Sequence, residues 1–378
     1  MAFEHYIHSG GKRLRCGYTT GTCAALAAAG AARLLLTGEI PALLCFTTPK
    51  GLPVEVEPEF CYIEGTVATC GARKDGGDDI DVTSGLLICA RVERLDTPGI
   101  AVDGGEGVGR VTMPGLDQPA GAAAINRVPR RMITEAVQAV CKDTGYNGGL
   151  LVTVFVPGGA EAARKTFNPM LGVEGGISIL GTSGIVEPMS TQALVDTIAL
   201  ELRQAAALGM KKVILTPGNY GMDFIRAQGL DQLHIPIVKC SNFIGDALDA
   251  AAVQGFEAVL FVGHIGKLVK LAGGIMNTHS RWADCRSELF CAHAALAGAD
   301  RETCAALMAA AAADACIAIL DRERLRQPVL DSLLRAIQAH LEHRAAGVFQ
   351  VGAVVFSNQY GLLGRTDQAQ ELLEELSK

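Results

Sequence analysis

Aromatic residues make up only 5% of this 378-residue chain, with a single tryptophan, which leaves little to build a stacking platform for single-stranded nucleic acid. Basic charge is not in excess either. Thirty-three Lys and Arg against 40 Asp and Glu give a net charge of −7, which argues against a nucleic-acid partner. Twelve cysteines contain no Cys-x-x-Cys pair, and most sit in apolar runs, as Cys89, Cys141 and Cys316 do. Reduced thiols acting as small hydrophobes are therefore expected, rather than a disulfide framework or a metal site. The amino terminus, Met-Ala-Phe-Glu-His, lacks a signal-peptide pattern. The apolar stretches Ala24–Leu36 and Ala305–Leu320 are interrupted by Arg33 and Asp314, so neither reads as a membrane span. A cytoplasmic protein with no membrane partner is the expectation.

What is present is an apolar, glycine-rich chain. Nearly half the residues are apolar and 19% are charged, and the length exceeds what one small core fills, so two domains are expected. Residues 1–171 read as an α+β domain. An alanine-rich helix at Ala24–Leu36 stops at Thr37-Gly38. Candidate strands follow at Leu43–Thr47, Cys61–Ile63, Thr66–Cys70, Leu86–Val92 and Ile100–Val102, then a helix at Val128–Lys142 and a strand at Gly149–Val156. Residues 172–378 alternate strand and helix, with strands at Ile177–Leu180, Lys212–Leu215, Ile235–Lys239, Ala258–Val262 and Gly347–Phe356. A helix over Thr191–Leu208 is capped by Ser190, and a helical section covers Arg286–Leu320. This alternation predicts a doubly wound, Rossmann-like parallel sheet.

Four glycine-bearing loops follow strands of that second half: Gly181–Gly184, Thr216–Gly221, Cys240–Gly245 and Gly263–Gly266. In a doubly wound sheet they share one edge, and their tips carry Thr182, Ser183, Asn219, Ser241, Asn242 and His264. Glycine also simply permits tight turns. Four such loops with polar tips favour a cleft for a nucleotide-like ligand. Gly17–Ala24, with Thr19, Thr20 and Thr22, feeds a helix amino terminus that either attracts an anion or is merely capped by a threonine. Cys23 has no histidine beside it in sequence and is a poor candidate nucleophile. The run Asp103-Gly-Gly-Glu-Gly-Val-Gly-Arg110 fails the dinucleotide fingerprint, because Val-Thr-Met-Pro-Gly cannot open a helix. Its backbone suits close approach to a flat ligand, with Arg110 for a carboxylate. His264, His279 and Cys285 lack zinc spacing, so no protein metal site is expected. Lys267, Lys270, Asn277, His279, Ser280 and Arg281 form a polar cluster suited to an acidic substrate.

The stretch Phe167–Ser190, containing Gly-Gly-Ile-Ser-Ile-Leu-Gly-Thr-Ser-Gly, together with Gly-Tyr-Thr-Thr-Gly-Thr-Cys-Ala at 17–24, resembles the CbiD family of cobalamin biosynthesis. The likeness continues through Pro129-Arg-Arg-Met-Ile, Thr216-Pro-Gly-Asn-Tyr-Gly, Lys239-Cys-Ser-Asn-Phe-Ile-Gly, Gly263-His-Ile-Gly-Lys-Leu and Asn277-Thr-His-Ser. It departs at Ala120–Ala123, which lacks a Glu-Pro common in relatives, and at Cys285. The resemblance implies methyl transfer from S-adenosylmethionine to carbon 1 of cobalt-precorrin-5B, giving cobalt-precorrin-6A. Cobalt then enters only within the substrate. The methyl donor is expected at Gly181, Thr182, Ser183, Gly184, Asn219, Asn242, Gly263 and His264. The tetrapyrrole is expected between the domains, at Thr19, Thr20, Thr22, Arg110, Arg130, Arg131, Lys165, Lys267, His279 and Arg281. No residue is assigned a catalytic role, and the oligomeric state stays open, a homo-oligomer included. Two other readings remain: an NAD(P)H-dependent tetrapyrrole reductase, and a non-enzymatic corrinoid carrier or scaffold.

Overall fold

Small side chains set the packing of the amino-terminal half. The computed structural model describes residues 3–9, 11–166, 168–169 and 171–376, so Phe167 and Met170 of the joint stretch lie outside the described residues. Helix Thr20–Thr37 is capped at its start by the Thr19 hydroxyl, which accepts the Thr22 N–H, and ends at a left-handed Gly38. Its alanines are nearly all fully buried, which lets it lie close to its neighbours. A Cβ added to Gly30 would fall 2.5 Å from Leu44 and 2.8 Å from Cys70. By length and composition this helix could cross a bilayer, but 72% of its apolar window is buried, as in a core helix. It packs on helix Arg127–Thr144 and on strands Val67–Arg73 and Leu87–Leu95. Those strands belong to a sheet ordered Phe60–Glu64, Val67–Arg73, Leu87–Leu95, Gly149–Phe155, Gly99–Gly104. All its neighbours are antiparallel except the last pair.

Cys61 and Cys70 face each other across the first two of these strands and form a disulfide. The expectation of uniformly reduced thiols fails at that pair, because strand register rather than sequence spacing brings the two sulfurs together. The other ten cysteines are free.

The contacts divide the chain into two compact units, Met1–Ser190 and Thr191–Lys378. The join therefore falls later than the expected 171/172. Within the first unit, Gly176–Ile177 runs parallel to Gly107–Val108, and Ile185–Val186 pairs antiparallel with Gly17–Tyr18. The apolar run at 177–180 was expected to open the parallel sheet. Its Ile177 and Ile179 instead lie in the first unit's core, where Ile179 bridges to Ile125, while Leu180 is exposed. A four-residue apolar run is equally compatible with either burial, and only its pairing partners separate them.

The second unit holds a five-stranded sheet ordered Ile237–Lys239, Lys212–Thr216, Ala258–His264, Gln350–Ser357, Gly361–Arg365. The first four strands are parallel and the last is antiparallel. Residues 258–263 of the central strand are buried on both faces, as expected for a strand covered by helices on either side. From Lys212–Thr216 the chain crosses outward to one side and returns to the other. The strand order thus reverses between 212–216 and 258–264, and a crevice opens at their carboxyl ends. The alanine-rich section divides into helices Arg286–Leu296, Arg301–Met308 and Ala313–Arg322. Helix Arg326–Ala345 and the antiparallel edge strand Gly361–Arg365 were not anticipated.

Candidate functional site

The sequence motifs separate into two polar clusters, one in each unit. In the first, the Gly181–Gly184 turn lies against the start of helix Thr20–Thr37. Thr19 N–H and the Thr22 hydroxyl both donate to the Gly184 carbonyl, at 3.0 and 2.7 Å. The Thr20 hydroxyl accepts Leu180 N–H at 2.8 Å, and the Gly21 N–H donates to Leu180 O at 3.0 Å. Ser183 Oγ donates to Ile185 O at 3.0 Å. Gly181 and Gly184 have φ of 125° and 80°, and a Cβ on either would fall 2.3 Å from Thr19 or 2.7 Å from Thr48. Thr19, Thr20 and Thr22 are thus buried and hydrogen-bonded within the protein instead of facing a ligand, and only Thr182 of the turn is exposed. Burial pushes the neighbouring Cys23 thiol up to about 12, so no thiolate nucleophile forms there.

The arginines expected to hold carboxylates differ from one another. Arg110 reaches Asp103 through two hydrogen bonds, 2.9 and 3.2 Å, and donates to Gly104 O at 2.6 Å. The backbone of the glycine run approaches protein instead of opening onto solvent, since Gly107 pairs with Gly176. Arg130 is half-buried and donates to three carbonyls, those of Ile125, Val102 and Ala123. It braces the loop ahead of its helix and keeps little free for a ligand. Arg131 is exposed beside Glu135 at 3.7 Å, and Lys165 is exposed.

In the second unit, the crevice at the strand reversal is a cavity of about 590 Å³, within the range of about 300–1,000 Å³ typical of small-molecule sites. Thr216–Gly221 forms one wall, Gly263, His264, Gly266 and Lys267 another, and Arg286 with Ala312–Asp314 a third. Of the residues expected to hold a donor, Asn219, Gly263 and His264 meet here; the Gly181–Gly184 turn belongs to the first unit. Asn242 is not on the wall, and its side-chain oxygen accepts the Thr278 hydroxyl at 3.2 Å.

The electrostatics of this cavity are unbalanced. Thr216 Oγ1 is fully buried and has no hydrogen-bond partner among the described residues, an expensive state for a hydroxyl. His264 Nδ1 accepts Gly266 N–H at 3.1 Å, so the neutral ring carries its proton on Nε2. Burial holds this imidazole below the usual histidine range, partly offset by Asp314. Lys267 Nζ donates to Pro217 O at 3.2 Å, and burial lowers its pKa. Asp314 accepts the Ser357 hydroxyl at 2.8 Å, while Arg286 is closed off by Asp284. Sequence reading placed Thr216 only as the start of the Thr216–Gly221 loop, and it missed Asp314 and Arg286 as wall residues. Asp314 sits in an alanine-rich helix that carries no motif.

Lys270 is buried, with Nζ donating to the Thr278 and Ala283 carbonyls at 3.1 and 2.8 Å. It anchors the loop that presents His279, Arg281 and the lone Trp282 to solvent, the guanidinium lying 5.7 Å from the indole ring. No group of three or more metal-ligating side chains occurs among the described residues.

A CbiD family profile matches residues 7–188, and a profile described as CbiD, C-terminal domain, matches residues 277–367. A protein named Cobalt-precorrin-5B C(1)-methyltransferase from Ruminiclostridium cellulolyticum is 44% identical, covering 99% of this chain and 100% of that one. One of the same name from Alkaliphilus metalliredigens is 42% identical, over 99% of this chain and 98% of that one. Another, from Thermoanaerobacter, reaches 50% identity over 79% and 81%. The 1.9 Å crystal structure of a cobalamin biosynthesis protein (cbiD) from Archaeoglobus fulgidus is 31% identical, covering 73% of this chain and 86% of that chain, with a TM-score of 0.39.

Proposed function

Since the chain belongs to the CbiD family, we propose that it is a cobalt-precorrin-5B C(1)-methyltransferase, a soluble cytoplasmic enzyme that uses S-adenosylmethionine in cobalamin biosynthesis. The observation that carries this reading is the 44% identity extending over 99% of the chain to a protein of that name.

We place the methyl donor in the cavity of the second unit, which we read as a Rossmann-like domain. The fit rests on the buried, partnerless Thr216 hydroxyl and on a crevice at a strand reversal, where parallel sheets bind nucleotide-like ligands. When bound, S-adenosylmethionine supplies a methyl group already activated on a sulfonium sulfur. Thr216 brings an unpartnered hydroxyl, buried against Gly221, to the cavity wall; His264 offers an Nε2 donor, and exposed Tyr220 an aromatic face at the cavity mouth. Carbon 1 of the acceptor becomes quaternary and has no proton to lose, so the chain needs no general base. Its residues orient the reactants and exclude water, and alignment alone contributes up to about 7–11 kcal/mol in favourable cases.

The acetate and propionate arms of the tetrapyrrole call for exposed cations. Arg281 beside Trp282 combines positive charge with a flat ring, His279 is exposed on the same loop, and Arg131 and Lys165 are exposed. Arg110 and Arg130 position protein backbone in this reading.

The test is incubation of the purified protein with cobalt-precorrin-5B and S-adenosylmethionine, followed by mass spectrometry. The expected result is one added methyl group, dependent on the donor and inhibited by S-adenosylhomocysteine. Consumption of NADPH without methylation would identify a reductase, and tetrapyrrole binding without turnover would identify a carrier.

A further inference from the structure

Two opposite charges face the cavity of the second unit, and neither is matched. Lys267 is half-buried, its Nζ meets only the Pro217 carbonyl, and no carboxylate lies within ion-pair distance among the described residues. The nearby Cys240 thiol supplies no counter-charge, because burial raises it to about 12. Asp314 lies on the third wall. One of its oxygens accepts from Ser357, whose side chain is itself buried, and no Lys or Arg pairs with it among the described residues. Arg286 on the same wall is a contrast: two hydrogen bonds to Asp284 neutralise it. A half-buried ion without a partner is costly, and two of opposite sign held apart in one cavity are poorly explained by folding alone.

We propose that Lys267 and Asp314 recognise the two charged ends of a zwitterionic amino-acid group. The Lys267 ammonium would meet the α-carboxylate and the Asp314 carboxylate the α-ammonium, with Ser357 holding the carboxylate in place. This assignment rests on the donor placement above and deepens it. It makes Lys267 and Asp314 specificity-determining residues, which select a nucleoside bearing an amino-acid tail. A phosphate-bearing cofactor would satisfy Lys267 but set negative charge near Asp314. A plain nucleoside would leave both ions unmatched.

The experiment is calorimetry on the full chain with S-adenosylhomocysteine and with 5′-methylthioadenosine, which keeps the nucleoside thioether and lacks the amino acid. The wild-type protein is expected to bind S-adenosylhomocysteine at least roughly tenfold more tightly. Asp314→Asn, which keeps an acceptor for Ser357, and Lys267→Met should each erase most of that preference. Both should leave the affinity for 5′-methylthioadenosine within about twofold. Equal wild-type affinity for the two ligands would overturn the charge assignment while leaving the donor site intact, and this comparison needs no variant. Variants that weaken both ligands alike would also overturn it. Failure of the wild-type protein to bind either ligand would remove the donor placement itself.

Discussion

The turn at Gly181–Gly184 and the loop at Thr216–Gly221 look alike in sequence. Each pairs glycines with hydroxyl or amide side chains next to an apolar run. In the first unit every threonine hydroxyl of the cluster, Thr19, Thr20 and Thr22, has a partner inside the protein, and the glycines sit where a Cβ would collide. In the second, the Thr216 hydroxyl has no partner among the described residues, and Lys267 and Asp314 line the cavity. A motif that satisfies its own polar groups is a structural lock. A motif that leaves buried polar groups unsatisfied, beside open volume, is where a ligand belongs.

The contrast can be broken most forcefully at Gly184. Gly184→Ala places a Cβ near 2.7 Å from Thr48 at a φ of 80°, and should cost about 2–5 kcal/mol of stability. Denaturant melts followed by circular dichroism measure this, and an unchanged midpoint would mean that the turn is not a lock. The neighbouring arginines supply the next largest effect. Arg130→Met removes donors from three carbonyls and should cost about 1.5–3 kcal/mol, whereas Arg131→Ala, at an exposed ion pair, should cost under about 0.5 kcal/mol. Equal losses would contradict the bracing role of Arg130.

A matched pair of Thr→Val substitutions sharpens the comparison further. Thr22→Val should cost about 1 kcal/mol and leave binding of S-adenosylhomocysteine unchanged, because its hydroxyl donates to the Gly184 carbonyl. Thr216→Val loses no internal hydrogen bond, so the melt should hold or rise slightly while calorimetry shows weaker binding. The reverse pattern would exchange the roles of the two clusters. The smallest effect concerns pH. His264 titrates below 6.5 in the folded protein because burial disfavours the imidazolium, and His293 shifts the same way. As pH falls through 6.5 the unfolded chain takes up these protons first. Stability therefore declines from there and levels off once the folded rings titrate. His264→Gln should flatten part of that slope in melts at successive pH values, and an unaltered slope would assign it to other groups.

Several elements were legible from residue pattern. The helix at 20–37 and the strand at 258–264 follow from alanine content and β-branched runs, and the helix at 191–207 lies where the residue pattern placed it. The strand at 177–180 was misassigned because a short apolar run has no periodicity of its own, and its partners lie at 107–108 and 125. Part of the cavity was readable, since Asn219, Gly263 and His264 follow strands of a parallel sheet. Asp314 was not, because its place beside His264 depends on how helix Ala313–Arg322 packs near the end of strand Gln350–Ser357.

Local chemistry written in the chain therefore determined the class of many elements, the family and the loops that deserved attention. Tertiary structure alone decided which loop is closed on itself and which is open. Hydrogen-bond satisfaction is a property of pairs far apart in sequence, 162 residues for Thr22 and Gly184 and 43 for Asp314 and Ser357. No local pattern encodes whether such a partner arrives, and the energetic cost of its absence is what marks a binding site.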